Sequence, residues 1–491
     1  MSKGKVYLVG AGPGDEKLIT VKGLDCLRKA EVVVYDRLAN PRLLRHANPE
    51  GEFIYCGKLP NCHTLNQEAI NQVLVEKGKA GKIVVRLKGG DPMVFGRAGE
   101  EAQELANHGI PFEIVPGITS GIAAPAYAGI PVTHREFGNT FAVISGHTAK
   151  GGDTLPEVDW EALAKGLHTL IFYMGLKNLP SICDRLMAHG RKPHTPVALV
   201  QWGTTGHQRT LTATLHTAVE EARSQGFTHP VIILVGEIAS LRDSLSWIEK
   251  KPLFGQRILV ARSDSTPGMM AEYLGEAGAE VMEYPTYYAK SQFGRTENQF
   301  YLDQIETYGH FLFTSAESVD FFFKGLQEMQ RDVRKIQGEF LALSPRIRRR
   351  LLDRGYACGL WQGQKLDSLL ILGEEKTVQD SRWQGKDVIT LYEKKNHKEV
   401  EKNVVRLLEK KKVDTYLFPG PSSVKSFIQE LERKGLDPLA ILGDAKVVCL
   451  GEQAVLEAEE AGIKVTGMVE HTTYDVAVEY LASLYSNPVH L

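Results

Sequence analysis

The sequence predicts an α/β protein made of two successive α/β halves, and three observations carry that prediction. From residue 5 to about 240, short β-branched runs alternate with amphipathic helical stretches, the pattern of sheets covered by helices. The alternation breaks over residues 241–254 (LRDSLSWIEKKPLF), and a new strand, QRILVAR, opens after Gly255. Beyond that point the chain echoes itself. FTSAESVDFF from Phe313 matches FPGPSSVKSF from Phe418, and LALSPRIRRRLLDRGY from Leu341 matches VCLGEQAVLEAEEAGI from Val448. Each member of an echo reads as a strand end, a tight turn and a helix, so the second half is expected to have two similar lobes. The expected organisation is therefore residues 1–245, a linker over 246–254, and residues 255–491.

In the first half the strand candidates are KVYLVG, EVVVYD, EFIYCG, KIVVRLK and PFEIVPG, then TFAVISG, TLIFYMG, PVALVQWG and PVIILVGE. Helices are expected between them, for example over 66–77 and 100–108, with Thr64 and Gln67 forming a capping-box signature before the first. Alternating strands and helices imply largely parallel sheets, whose functional groups sit in loops at strand C-terminal ends. Those loops are the places to look for chemistry.

Composition narrows the classes. The 491 residues are 43% hydrophobic and 24% charged, and the formal net charge is −2. That balance excludes a generally basic nucleic-acid binder but leaves room for a basic pocket facing a small acidic substrate. The N-terminus, MSKGKVYLVGAGPGD, enters an apolar strand without a signal-peptide core, and no apolar run approaches the roughly 20 residues that span a bilayer. A cytoplasmic protein with no membrane partner is expected. The cysteines at 26, 56, 62, 183, 358 and 449 form no CxxC pair. Cys56, Cys62 and His63 lack a second ligand pair, so neither a disulfide framework nor a metal site is expected.

Three glycine-rich loops follow strands. The first is Gly10-Ala11-Gly12-Pro13-Gly14-Asp15. A dinucleotide fingerprint needs glycine at its sixth position, where helix amides hold a pyrophosphate. Here Asp15 stands there and Pro13 removes an amide donor, which disfavours NAD. A floor for a flat, uncharged nucleoside fits better, although a plain strand-to-helix turn reads equally well from this loop alone. The second loop runs from Gly89 to Arg97, with Asp91 free to accept from hydroxyl or ammonium groups. The third is Pro116-Gly117-Ile118-Thr119-Ser120-Gly121, in which Thr119 or Ser120 also suits a helix cap.

Taken in order, VGAGPGD, VYDRL, GGDPMVFGR, PGITSG, FYMG and QWGT resemble the tetrapyrrole methyltransferases that use S-adenosylmethionine, and within them the uroporphyrinogen-III C-methyltransferases. The resemblance covers nearly all of residues 3–245. It implies two α/β lobes with the cofactor in the cleft between them, S-adenosylhomocysteine as product, a tetrapyrrole substrate and a homodimer. By position it carries cofactor contacts to Pro13, Gly89, Gly90, Asp91, Val94, Thr119, Ser120, Met174 and Gly203, and the proton acceptor and donor to Asp36 and Lys58. Where the family usually has arginine after that lysine, this chain has Leu59. The chemistry suits these residues. A methyl on a sulfonium is already activated, so alignment is the main task, and a strand-end carboxylate can take the proton that the macrocycle loses. A polycarboxylate substrate calls for a basic rim, for which Arg37, Lys58, Arg97, Arg135 and Arg209 are candidates, each also readable as a solvated charge.

Residues 255–491 carry no nucleophile elbow, and Ser422 and Ser423 in GPSSV read as turn and cap residues. The basic run from Arg346 to Arg350 reads as a solvated helix face or an acidic-ligand contact. GQRILVARSD, FTSAESV, LFPGPSSV and CLGEQAVLEAEEAGIKV resemble uroporphyrinogen-III synthase. That resemblance implies closure of hydroxymethylbilane without a cofactor, and two α/β lobes. One is discontinuous, over roughly 255–288 and 395–491, and the other lies near 289–394. It also implies a role for Tyr392 near substrate, while Gly451-Glu452-Gln453 departs from the threonine the family commonly has. Two alternatives stay open: a methyltransferase acting on another tetrapyrrole such as a precorrin, and a non-catalytic binding module as the second half.

Overall fold

The computed structural model describes residues 4–57, 66–147, 155, 157–266, 268–470 and 473–485. Its strands form four sheets. The first contains β1 (Lys5–Gly10), β2 (Val32–Tyr35), β3 (Glu52–Tyr55), β4 (Ile83–Lys88) and β5 (Phe112–Val115) in the order β3-β2-β4-β1-β5. Every pairing in it is parallel. Residues of β2 are buried throughout, as a strand covered on both faces requires. Connections from β1 and β4 run in opposite directions across the sheet, so the chain's topological switch point lies between these neighbouring strands. Ligands of open parallel sheets bind at that crevice. The GAGPGD and GGDP loops leave β1 and β4 at this point.

The second sheet contains β6 (Phe141–Ser145), β7 (Thr169–Tyr173), β8 (Pro196–Gln201), β9 (Arg209–Thr214) and β10 (Val231–Val235), in the order β6-β7-β10-β8-β9. Only β6 and β7 pair in parallel; β10 is antiparallel to β7 and β8, and β8 to β9. The expectation of largely parallel sheets therefore fails here. Residues 202–208 return the chain directly from β8 to β9 with no crossover helix, which only antiparallel neighbours permit. Strand β9 itself was not predicted, because RTLTAT offers one buried residue, Leu211, on an edge.

The expected helices form as Gln67–Lys79 and Ala98–Asn107. Asn66, whose side chain accepts from the Ala69 amide at 2.8 Å, caps the first. The proposed cap Thr64 lies outside the described residues. Residues 241–254 form short turns, with Trp247 Nε1 donating to the Ala126 carbonyl at 3.0 Å and Leu253 fully buried.

In the second half, β11 (Arg257–Ala261) and β12 (Glu280–Tyr284) open a third sheet that β19 (Thr415–Phe418), β20 (Lys446–Leu450) and β21 (Gly467–Val469) complete, in the order β12-β11-β19-β20-β21. Between them the chain builds a fourth sheet from β13 (Tyr287–Ser291), β14 (His310–Phe313), β15 (Glu339–Ala342), β16 (Gly359–Leu360), β17 (Leu369–Glu374) and β18 (Asp387–Asn396), ordered β13-β18-β17-β14-β15-β16. The third sheet is thus the discontinuous lobe that the resemblance to uroporphyrinogen-III synthase implied. By compactness the chain divides into one unit of residues 1–261, 269–284 and 399–491 and another of 262–268 and 285–398. The internal echo is physical. Ser318 Oγ donates to the Ser315 carbonyl at 2.6 Å at the start of one helix, and Ser423 Oγ does the same to Gly420 at 2.6 Å in the other lobe. Ser423 is a helix-start residue, as its sequence context indicated. Among the described residues no helix is long and apolar enough to cross a membrane.

Candidate active site

Neighbouring strands β4, β1 and β5 end in the three glycine-rich loops, and the loops meet. Gly90 N donates to the Gly12 carbonyl at 2.7 Å, and Gly12 N returns the bond to Gly90 at 3.3 Å. A Cβ on Gly117 would lie 2.4 Å from the Gly90 carbonyl oxygen and 2.8 Å from Gly10 Cα, so this contact admits only glycine. Asp91 ties the second loop to the third: its Oδ2 accepts from Gly117 N at 3.0 Å and its Oδ1 from Met93 N at 2.8 Å. Gly90 has φ +70°, and a Cβ there would meet little beyond Ser120 Oγ at 3.5 Å. It faces a cradle rather than packed protein.

The second sheet closes on these loops. Tyr173, at the end of β7, bonds Thr119 Oγ1 at 2.5 Å and also the Gly121 amide, and its ring lies 5.2 Å from that of Phe95. Burial raises the Tyr173 hydroxyl pKa, against the lowering effect of Thr119 and Gly121. Thr119 is the N-cap residue of the helix Ser120–Tyr127 without making a side-chain cap bond, its hydroxyl being turned to Tyr173. Met174 follows with φ +54° and is exposed. Gly203 packs on Ala124, where a Cβ would come within 2.3 Å of the alanine's own. Asp15 does not face outward as an obstacle to a phosphate. It accepts from Lys17 N at 2.9 Å and from the Tyr127 hydroxyl at 2.9 Å, while its amide donates to Thr204 Oγ1 at 3.1 Å. Pro13 and Val94 are half-buried on the same loops.

Asp36 sits just past the end of β2, beside β4. Its Oδ1 accepts from the amides of Leu38 and Ala39 at 3.0 and 3.3 Å, and its Oδ2 lies 3.5 Å from Arg86. Leu38 touches the second loop, since a Cβ on Gly89 would fall 2.6 Å from Leu38 Cβ. Lys58, its proposed partner, lies outside the described residues. Arg86 belongs to a cluster that sequence reasoning missed. Glu101, wholly buried, accepts from Lys88 at 2.6 Å, Gln67 at 3.1 Å and Arg86 at 3.4 Å. Burial, and then Arg86, depress the Lys88 pKa.

Several exposed apolar side chains crowd the loops: Leu38, Met93, Phe95, Ile118 and Met174. An apolar rim around a few convergent polar groups is the usual make-up of a small-molecule site. Of the rim cations, Arg37, Arg97 and Arg135 are exposed, Arg97 being paired with Glu100. Arg209 is a correction. It lies over the Phe227 ring at 4.7 Å and donates to the Gln225 carbonyl at 2.7 Å, which commits it to the edge of the second sheet. In the second half, Tyr392 on β18 is 1% exposed, stacks on Phe321 at 5.0 Å and bonds Ser315 Oγ at 2.9 Å. Glu452 is exposed at the first position of its helix.

Comparison with known proteins sets this site in context. The family of Tetrapyrrole (Corrin/Porphyrin) Methylases matches residues 5–219, and that of Uroporphyrinogen-III synthase HemD matches 268–365 and 385–479. A uroporphyrinogen-III C-methyltransferase of Bacillus subtilis is 40% identical over 459 residues, covering 92% of this chain and 93% of the relative. The chain belongs to the uroporphyrinogen-III C-methyltransferase family. It is an S-adenosylmethionine-dependent enzyme of tetrapyrrole biosynthesis, with a synthase-type domain joined to the methyltransferase domain. A second family member, from Priestia megaterium, is 57% identical over 237 residues, 48% of this chain and 99% of that protein. The crystal structure of a Thermus thermophilus uroporphyrin-III C-methyltransferase complexed with S-adenosylhomocysteine aligns at 39% identity and a TM-score of 0.42, covering 48% of this chain and 99% of that one.

Proposed function

We propose that the first half methylates uroporphyrinogen III at C-2 and C-7 to give precorrin-2, and that the second half closes hydroxymethylbilane to uroporphyrinogen III. The observation that carries the first reading is the meeting of the three glycine-rich loops at the switch point of the first sheet, with the Asp36 carboxylate beside them. S-adenosylmethionine, when bound, supplies an activated methyl group.

Pro13, Gly89, Gly90, Asp91, Val94, Thr119, Ser120, Met174 and Gly203 hold that cofactor in our reading. The open cradle at Gly90 and the exposed Met174 suit a flat nucleoside with a methionine-derived tail, and Asp91 suits its polar groups. Asp36 accepts the proton released by the methylated pyrrole, and Lys58 acts as donor on the strength of the family resemblance. The two amides and Arg86 hold the Asp36 carboxylate in a fixed orientation just past the end of β2. Arg37, Arg97 and Arg135 offer the cationic rim for the substrate carboxylates.

The functional domains are taken as residues 1–245 and 255–491, acting in the cytoplasm as a homodimer through the first half. One observation favours the second reading, a non-catalytic second half: Glu452 presents a carboxylate where the synthase family commonly has a threonine. Incubating the chain with hydroxymethylbilane and S-adenosylmethionine tests both activities. Dimethylated type III product supports the bifunctional reading, and unmethylated product overturns the first half's assignment.

A further inference from the structure

Four carboxylates of the second half meet donors of the first, all within the larger compact unit. Glu276 pairs with Lys17 at 3.4 Å, on the segment that follows the GAGPGD loop. Glu280 pairs with His207 at 2.7 Å, four residues beyond Gly203, and with Arg257 at 2.6 Å. Glu283 shares Arg45 with Glu16 of the first half, both at 3.2 Å, in a largely buried cluster that Arg42 joins. Glu399, 12% exposed at its side chain, accepts from the buried Tyr35 hydroxyl at 2.6 Å. Val400, the next residue, packs into the core of the first sheet with Val9, Val33 and Tyr35. The contact is close as well as charged: Gly255 N donates to the Gly206 carbonyl at 2.9 Å, and a Cβ on Gly206 would lie 2.3 Å from Glu280 N.

These contacts fall on the segments that carry the methyltransferase site. Tyr35 immediately precedes Asp36 and ends β2. Its carbonyl accepts from Cys56 N at 2.9 Å and Cys56 Sγ at 3.1 Å, its hydroxyl is held by Glu399, and Asp36 then turns toward β4. Burial and the Glu399 carboxylate keep the Tyr35 hydroxyl protonated, so it remains a donor.

We infer that Glu399 of the second half is a positioning residue for the methyltransferase reaction, bracing the Asp36 strand end through the Tyr35 hydroxyl. The second half is then part of the methyltransferase's working structure rather than only a neighbour supplying substrate. This inference rests on the reading of Asp36 as proton acceptor.

The test is steady-state methylation of uroporphyrinogen III by the full-length chain carrying Glu399→Ala, Tyr35→Phe, both together, or Glu399→Gln. Small misplacements of a reacting group are costly, so each single loss should lower kcat about tenfold. KM for S-adenosylmethionine should stay within about twofold, because neither partner of the bond is among the residues assigned to the cofactor. The double variant should be no slower than the worse single one, the mark of two groups acting through one bond. Glu399→Gln keeps an acceptor and should restore most of the rate. S-adenosylhomocysteine affinity reports whether each variant is folded, and Tyr35→Phe is the milder change should Glu399→Ala fold poorly. Single variants within twofold of wild type, or additive losses in the double variant, overturn the brace. Asp36→Asn, measured alongside, separates the two ideas. If it turns over normally, the acceptor reading fails and the inference built on it falls too, whatever the coupling between Tyr35 and Glu399. If it is inactive while those variants are not, the brace alone fails.

Discussion

At the scale of single residues, the chemistry of the first half depends on charges that are held out of water. Glu101 has no exposed surface and receives Lys88, Arg86 and Gln67, while Arg86 reaches on to Asp36. The two cations and two carboxylates balance, and a buried set like this is fragile when one member is removed. Glu101→Leu should lower stability by about 3 to 5 kcal/mol, read by urea denaturation; a loss under about 1 kcal/mol would mean that the remaining cations find other compensation. Asp36→Asn should leave S-adenosylhomocysteine affinity in place and cut turnover by about 10²- to 10⁴-fold, the range for a lost general base. Weakened substrate binding with unchanged kcat would instead make Asp36 an orienting group. The loop residues were legible because glycine, proline and aspartate punctuate strand ends in a distinctive order. Arg86 and Lys88 were not. In KIVVRLK they alternate with Leu87 and read as the wet face of a strand, and only the helix Ala98–Asn107, bringing Glu101, makes that face an interior.

At the scale of elements, a tight crossing of backbones builds the site. Because a Cβ on Gly117 would lie 2.4 Å from the Gly90 carbonyl, Gly117→Ala must push the β5 and β4 loops apart. Cofactor affinity should fall at least tenfold in calorimetry, with the synthase-type half unaffected; undiminished affinity would show that the loops shift without harm. The short helical turn Pro41–His46, which carries Arg42 and Arg45 to the interdomain ion cluster, adds a pH dependence. Burial first, and then Arg45, depress the His46 pKa to about 4. Its unfolded value is near 6.5 (about that of a free imidazole), so the unfolded chain binds more protons between those limits. The contribution of His46 is complete above about pH 6.5 and is lost as pH falls toward 4. His46→Gln should therefore flatten the plot of melting temperature against pH across that window, and an unchanged slope would remove His46 as the cause. Helices and central strands were readable from periodicity and β-branching. The mixed direction of the second sheet was not, since the clue lay in a seven-residue return, 202–208, and in an edge strand of threonines whose exposed face carries no apolar signal.

At the scale of the whole molecule, the repeated strand–turn–helix of the second half pointed to two similar lobes, and the resemblance to uroporphyrinogen-III synthase implied that one of them is discontinuous. Joining the two halves has a kinetic rationale if the second half makes what the first consumes, because a tethered source raises the local concentration of an unstable intermediate. The full-length Asp36→Asn chain offers a clean test of that premise, since it should not convert the product further. Hydroxymethylbilane closes to the type I isomer when unassisted, so the isomer ratio reports the second half directly. We expect mainly type III product. Tyr392→Phe adds a sharper question, because Tyr392 is nearly buried and its hydroxyl meets Ser315, which caps the helix Ala316–Glu328. Losing that bond should cost about 1 kcal/mol of stability whatever the tyrosine's role. A fall in the rate of type III formation well beyond this modest change would assign the hydroxyl to the reaction, whereas a stability change alone would leave it a helix-start contact. Glu452→Thr completes the set. Faster closure would mean that the exposed carboxylate repels a polyacid substrate, and no change would mean that backbone amides of the turn can hold the substrate without the threonine. Should the Asp36→Asn chain, folded by circular dichroism, yield only type I product, the second half is a binding module, and its contacts with the methyltransferase half become the main reason for its presence.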